Sequence, residues 1–408
     1  MNITQVSRLS TLARFVSPLL LGIGPACSIQ SAQPQPLVDG NTAFALDLYG
    51  RLKNGPDNLF FSPYSISACL AMVYAGARGD TERGMARVLH FDKDRQQLHS
   101  SFGELQRQLN EIEKQQAIQL SIANGLWTQA GHSFLPAFLE VARGEYEANI
   151  SQVDFKAGAE AARGQINRWV AQKTNDKIHD ILPPGSVTAL ARLVLANAIY
   201  FKGAWAKPFA KAQTSPQPFH LSGAGQAEAP LMHHFDTVKY MENSDFQAVE
   251  LPYRGLQLSM MVILPRQADG CGQVEGRLTP ALLSASLAQM KQQRVEIFLP
   301  RFKLESSFDL KNTLAKMGMP DAFGPEADFS GIDGSRLYIS GVFHKAWGEV
   351  NEEGTEAAAA TAAVVARAAM RPVAPPPVFR ADHPFVFLIR DTRSGSLLFL
   401  GRLADPGK

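Results

Sequence analysis

The segment from Val350 to Pro377 limits this chain's possible folds more than any other. Val350-Asn351-Glu352-Glu353-Gly354-Thr355-Glu356 leads into a string of small residues, Ala357 to Ala369, interrupted only by Thr361, Val364, Val365 and Arg367. Met370, Arg371, Pro372, Val373 and Ala374 follow, and then Pro375-Pro376-Pro377. Alanine favours helix, yet the run has no stripe of large apolar side chains with which to dock on a core. Gly354 frees the backbone just before it, and the proline tract holds its far end extended. A long exposed segment of this kind in a compact domain is usually functional.

The remainder has to supply a core large enough to carry such a segment. The chain has 408 residues, 45% of them apolar and 19% charged, an ordinary globular mix. Three cysteines, Cys27, Cys69 and Cys271, give no disulfide framework, so burial must supply the stability. Lys and Arg number 40 against 38 Asp and Glu, a net charge of +2, and this near balance speaks against a nucleic-acid partner. Apolar spacing predicts helices over 41–52, 66–77, 98–112 and 166–173, the second opened by Ser62-Pro63. Strands are predicted over 120–127, 193–201, 247–251, 258–264, 295–299, 386–389 and 397–400. The two kinds of element mix without strict alternation, which is an α+β pattern. No repeat or Gly/Ser linker divides residues 37–408, so they are expected to form a single domain and a monomer.

Residues 1–36 read as a signal peptide and flexible spacer. Arg8 and Arg14 precede an apolar stretch from Phe15 to Ile23, followed by small residues to Ser28. That order is a secretory signal, too short and proline-interrupted to span a membrane. Cys27 stands where an acylated lipoprotein cysteine would sit, although Gly24-Pro25-Ala26 matches the usual preceding residues poorly. The expectation is a protein secreted or held on the outer side of the cell envelope, with a lipid anchor at Cys27 left open.

The chain carries none of the familiar catalytic motifs. There is no Gly-x-Ser-x-Gly elbow, no phosphate-binding Gly-Lys-Ser/Thr loop and no His-Glu-x-x-His pair. The tandem His233-His234 lacks a second ligand pair, and neighbours in a strand point to opposite faces, so no metal is expected. Cys69 reads as a buried structural thiol on an apolar helix. Cys271 falls in a Gly-rich loop where a thiol could react, with nothing cationic beside it in sequence to activate it.

Several separated motifs, in order, resemble the serpin family. Asn58-Leu59-Phe60-Phe61-Ser62-Pro63-Tyr64-Ser65-Ile66 is similar to its Phe-Ser-Pro-x-Ser-Ile segment, and Ser121 to Trp127 to its Asn-x-Leu-Trp element. Ile166-Asn167-Arg168-Trp169-Val170 and Leu195 to Trp205 are similar to two further motifs, and Phe379 to Ile389 to the C-terminal signature. The match covers nearly all of residues 37–408. It implies three β-sheets, eight to nine helices and an exposed reactive loop at about 352–378. It further implies an irreversible suicide-substrate inhibitor of serine, or cysteine, endopeptidases, with no enzymatic activity of its own. The alternative is a non-inhibitory serpin-fold protein that binds or chaperones another molecule.

The same resemblance assigns roles to residues. The hinge is Gly354, Thr355, Ala357, Ala359 and Thr361, whose small or β-branched side chains offer no bulk, charge or proline against entry into a sheet. Forward spacing from Gly354 places the reactive bond at Ala368-Ala369, or one residue earlier at Arg367-Ala368. Counting back from Pro384 lands near Met370 or Arg371 instead. An alanine carbonyl suits an elastase- or subtilisin-like protease, an arginine carbonyl a trypsin-like one, in either case as a covalent complex. Ser62, Ser65, Asn197 and His344 match the family's shutter beneath the opening strands. Trp205 matches the breach, where Glu352 is expected to pair with Arg301. No cofactor is implied, since no helix carries a dense Lys/Arg stripe for a polyanion.

Overall fold

Alternating apolar positions and helices capped by Ser62 and Asp154 set the frame. In the computed structural model, residues 35–91, 94–113, 118–131, 133–223, 225–335, 337–354 and 375–407 are described. Their strands are β1 (Leu59–Phe61), β2 (Ile118–Gln129), β3 (Asn149–Val153), β4 (Leu193–Gly203), β5 (Ser215–His220), β6 (Gln226–Glu242) and β7 (Phe246–Pro252). They continue as β8 (Leu258–Pro265), β9 (Lys291–Pro300), β10 (Phe302–Asp309), β11 (Ile339–Val350), β12 (Val378–Arg380), β13 (Phe385–Asp391) and β14 (Leu397–Leu403). One sheet runs β10-β11-β4-β2-β3; the other runs β1-β14-β13-β8-β7-β6-β9-β12 with β5 beside β6.

The three sheets implied by the resemblance are thus joined into two hydrogen-bonded sheets. The cause is the length of β6, 17 residues. Its first part pairs with β5 and its last part with β7, while β9 accompanies the stretch between. One continuous strand therefore stitches two smaller sheets together. Ten α-helices occur among the described residues, against eight to nine expected; one of them is a single turn, Ser330–Asp333.

β4 shows how alternation positions the functional region. Leu193, Leu195, Ile199 and Phe201 point to the main core, whereas Val194, Ala196, Ala198 and Tyr200 belong to a second cluster. That second cluster includes Phe155, Ala162, Ile166 and Val170 of the helix Phe155–Lys173, which covers the outer face of the five-stranded sheet. Between the two sheets the rings of Phe60 and Phe399 stack 5.1 Å apart, and Phe201 lies 5.3 Å from Phe399. α1 (Gln35–Leu52) packs on β14 of the larger sheet, and α2 (Pro63–Tyr74), every residue of which is buried, lies between β14 and strands β2 and β4 of the five-stranded sheet. Ser62 caps α2 by accepting the Ser65 N–H, and Pro63 supplies its first turn.

Several element bounds differ from those the periodicity predicts. α2 ends at Tyr74 rather than Ala77, because Gly76 turns the chain against Ile332, whose Cγ1 would lie 2.2 Å from an added Cβ. The helix expected over 166–173 begins at Phe155, capped by the Asp154 side chain. Strands β1, β3, β5, β6, β10, β11 and β12 are additions to the predicted set. In β11 the breaks that look like loop, Gly341 and Gly348, make room for aromatic rings: an added Cβ would lie 2.5 Å from the Phe343 ring and 3.0 Å from Phe60. Cys271 also departs from expectation. It opens the helix Cys271–Arg277 and is buried, and burial pushes its thiol pKa up to about 12, so it is not activated. Cys69 is buried on α2 and likewise raised to about 12.

Candidate functional site

The seam between β4 and β11 is the centre of the site. These two strands are parallel neighbours in a sheet where both also have antiparallel partners, β2 and β10. Direct register pairs place Asn124, Asn197 and His344 in one row across β2, β4 and β11. An asparagine in the core-facing row of β4, between Leu195 and Ile199, is costly unless its amide is fully bonded. It is. Asn197 Nδ2 lies 2.5 Å from Ser65 Oγ, 3.1 Å from the Ser65 carbonyl and 2.5 Å from Asn124 Oδ1. Its Oδ1 is 2.5 Å from His344 Nδ1.

His344 is held in one tautomer by its neighbours. The Ser62 backbone N–H donates to Nε2 at 3.1 Å, so the ring proton sits on Nδ1 and donates to Asn197. Burial drives the His344 pKa down to about 3, with the Asn197 contact only partly opposing it. The imidazole is therefore neutral, and the row carries no charge. The N-terminal turn of α2 straddles the seam, touching β11 through Ser62 and β4 through Ser65. Separating β4 from β11 would break the Asn197–His344 bond and leave buried groups unpaired. Asn124, which the sequence reading left without a role, completes this row.

A second cluster closes the end of the seam. After β11 the chain turns through Asn351 to Gly354, with the Gly354 N–H bonding the Asn351 carbonyl at 3.2 Å. Trp205, just past β4, donates its indole N–H to the Asn351 carbonyl at 2.9 Å and its backbone N–H to the Glu353 carbonyl at 3.1 Å. Phe209 N–H donates to the Glu352 carbonyl at 2.8 Å. The Trp205 ring stacks on Tyr253 with centroids 4.6 Å apart. The Glu352 carboxylate pairs with the Arg301 guanidinium, the partner that the family resemblance implies for it. Burial works to raise the Glu352 pKa, but the bonds and charge of Arg301 hold it below its ordinary value. Glu353 pairs with Lys211 at 2.5 Å, and that contact raises the Lys211 pKa.

Gly354 has φ +72°, and a Cβ there would fall 2.2 Å from Trp205 N and 2.5 Å from the Gly203 carbonyl oxygen. Only glycine allows this turn to lie so close against the end of β4. Thr355, Ala357, Ala359, Thr361, Arg367, Ala368 and Ala369, and Cys27 at the other end of the chain, lie outside the described residues. His233 and His234 sit on opposite faces of β6: His233 Nε2 is 3.1 Å from Glu296, and His234 stacks on Phe209. Among the described residues no group of three or more His, Cys, Asp or Glu could hold a metal ion, and no helix is long and apolar enough to cross a membrane.

Comparison with known proteins places this geometry. Residues 39–406 match the family model described as serpin (serine protease inhibitor). Serpin B3 of Homo sapiens is 39% identical, covering 91% of this chain and 99% of that protein. The leukocyte elastase inhibitor of Xenopus tropicalis is 41% identical over 90% of this chain and 98% of its own length. Among solved structures, uncleaved ovalbumin superposes with a TM-score of 0.81 at 30% identity, covering 90% of this chain and all of ovalbumin. Human thyroxine-binding globulin, solved with its hormone, gives 0.82 at 28% identity, covering 92% and 99% of the two chains. The chain belongs to the serpin family of protease inhibitors, which are not themselves enzymes.

Proposed function

We propose that this protein is an irreversible suicide-substrate inhibitor of serine endopeptidases that works by inserting its cleaved loop into the five-stranded sheet. The observation that carries the reading is the parallel pairing of β4 with β11. A chain that leaves β11 and turns back at Gly354 runs antiparallel to β11, and therefore antiparallel to β4 as well. Its insertion replaces one parallel ladder with two antiparallel ones, the more stable kind per residue. The first contacts are in place already, since the Glu352 and Glu353 carbonyls bond the Phe209 and Trp205 N–H groups.

The chemistry begins as ordinary proteolysis. The protease serine Oγ attacks the Ala368 carbonyl, the bond to Ala369 breaks, the new amine takes the proton, and an ester joins Ala368 to the protease. The freed strand then enters the sheet, a recognised case of strand addition driven by stored strain. From Gly354 to Ala368 it spans roughly 45 Å at ~3.3 Å per residue, enough to drag the protease across the domain. If the movement costs one oxyanion donor, ester hydrolysis slows by about 10²–10³. About a dozen new ladder positions at ~0.5–1.5 kcal/mol each contribute on the order of 10 kcal/mol. The intact fold is then a kinetic trap.

An elastase- or subtilisin-like protease is the target favoured by Ala368, a trypsin-like one if the cut falls at Arg367. The test is incubation with each, followed by denaturing electrophoresis and mass spectrometry of the released peptide. An adduct that survives SDS, with a clipped form that melts above the intact one, is expected. Clean cleavage with no adduct and no gain in melting temperature overturns the reading and favours a binding role. From the residues before Ser28 we also propose export, with Cys27 as a candidate lipid site; mass spectrometry of the mature N-terminus decides both.

A further inference from the structure

On the solvent face of the larger sheet, which takes up the C-terminal end of the loop at β12, aromatic and aliphatic side chains stand among the polar ones that alternation normally leaves in water. The register pairs Phe235 of β6 with Glu296 of β9, and Glu296 with Val378 of β12; it likewise pairs His233 with Phe298, and Phe298 with Arg380. Paired positions share a face, and the opposite face of the same strands, with Met232, Val295, Ile297, Leu299 and Phe379, is buried. Phe235 remains 46% exposed and Val378 47%. The His233 and Phe298 rings stack at 4.4 Å. Arg294 sets its guanidinium 5.2 Å from the Phe235 centroid, and Arg380 lies 4.6 Å from that of Phe298. Glu296 is engaged with His233, and Arg380 with Asp382 and Gln217, while no carboxylate among the described residues pairs with Arg294.

We propose that this face is a docking surface for the protease captured by the loop, and that it receives an acidic, partly apolar patch beside the protease's active-site cleft. The proposal rests on the inhibitory reading above. Continuity is its first support: Pro377 accepts the Glu296 N–H at 3.0 Å and hands the loop directly to β12. Ala369 precedes Val378 by at most ~30 Å of extended chain, less than the ~40 Å width of a protease-sized domain. A protease on that bond is held beside this face. Charge and composition are the second support. Aromatic residues and arginine are the types that anchor interfaces. The Arg294 guanidinium, set over the Phe235 ring and without a carboxylate partner among the described residues, offers its N–H edge to a carboxylate.

The full-length chain and its Phe235→Ser and Arg294→Glu variants would be run against elastase-, subtilisin- and trypsin-like enzymes, following the protease that forms the adduct fastest. Expected for each variant is a fall of about tenfold or more in the second-order rate of adduct formation. Stoichiometry and melting temperature should stay unchanged, and Arg294→Glu should flatten the salt dependence. Rates within twofold of the parent for both variants overturn the proposal while leaving loop trapping intact. If the parent forms no adduct with any enzyme, trapping has failed. Affinity for the same proteases with the nucleophilic serine replaced by alanine then decides docking. Weaker binding by the variants upholds it, and equal binding overturns it.

Discussion

The seam and the latch, the cluster of Glu352–Arg301 and Glu353–Lys211 pairs that closes its end, lie along the same opening, yet they are built from opposite materials. At the seam Ser62, Ser65, Asn197, His344 and Asn124 are buried and uncharged, and each hydrogen bond has a partner that water cannot replace. At the latch Glu352 is buried, but its partner Arg301 is 46% exposed at the side chain, and Lys211 is largely in solvent. Separation of the seam strands strands polar groups in an apolar interior, at the full desolvation cost. Parting the latch lets both ions return to water, where Arg301 already half stands, so no charge is left buried and unpaired. The difference teaches that the latch can yield early and cheaply, whereas the seam sets the barrier that keeps the sheet closed.

The largest test of this division is Asn197→Ala. It removes the amide that joins α2, β2 and β11, and leaves the His344 Nδ1–H, Ser65 and Asn124 side chains short of partners. At about 1–3 kcal/mol for each unsatisfied buried group, the loss should reach roughly 3–5 kcal/mol, read as a lowered urea midpoint and faster spontaneous polymer formation. An unchanged midpoint would mean the seam carries little of the barrier.

Acid probes the same place with a smaller expected effect. The folded His344 pKa, about 3, lies below the ordinary 6.5, so below pH 6.5 the unfolded or opened chain binds a proton that the closed seam excludes. Stability is therefore whole above 6.5 and falls as pH drops toward 3. At ~1.4 kcal/mol per unit, His344 alone should cost about 2 kcal/mol by pH 5. His99 and His234, both lowered to about 4 chiefly by burial, add to the slope. A melting scan from pH 7 to 5 checks it: His344→Gln should flatten part of the fall, and an identical slope in the variant would place the effect elsewhere.

The seam and the latch were also unequally legible in sequence. Ser62-Pro63 announces a helix start, and Asn197 is picked out by the resemblance of Leu195 to Trp205 to a family motif. Strand β11 is not announced, because Gly341, His344 and Gly348 read as loop until the rings that fill beside those glycines are known. Asn124 was in view as part of a motif, but its place opposite Asn197 is a matter of register between strands 73 positions apart. One strand's alternation does not carry that information. The merging of β5, β6 and β9 with the larger sheet is hidden for the same reason, since β6 interleaves Glu228, His233, His234, Asp236 and Lys239 with its apolar residues and shows no clean alternation.

The latch supplies the sharpest remaining contrast. Glu352→Lys sets a second cation against Arg301 and strips the Phe209–Trp205 corner of its compensating charge, without touching the seam. Because Arg301 can swing into water, the penalty should be modest, about 1–2 kcal/mol, and local. Global unfolding in urea should hardly move, while loop-to-sheet polymers on a native gel should increase, since an unlatched segment 351–354 leaves the end of β4 open to a neighbour's strand. Glu352→Gln, which keeps the shape and loses only the charge, should fall between parent and lysine variant. High salt should narrow the gap between them, because the attraction it screens is half in solvent. A lysine variant that stays monomeric and unfolds early in urea would reverse the division of labour, making the latch and not the seam the element that holds the sheet closed.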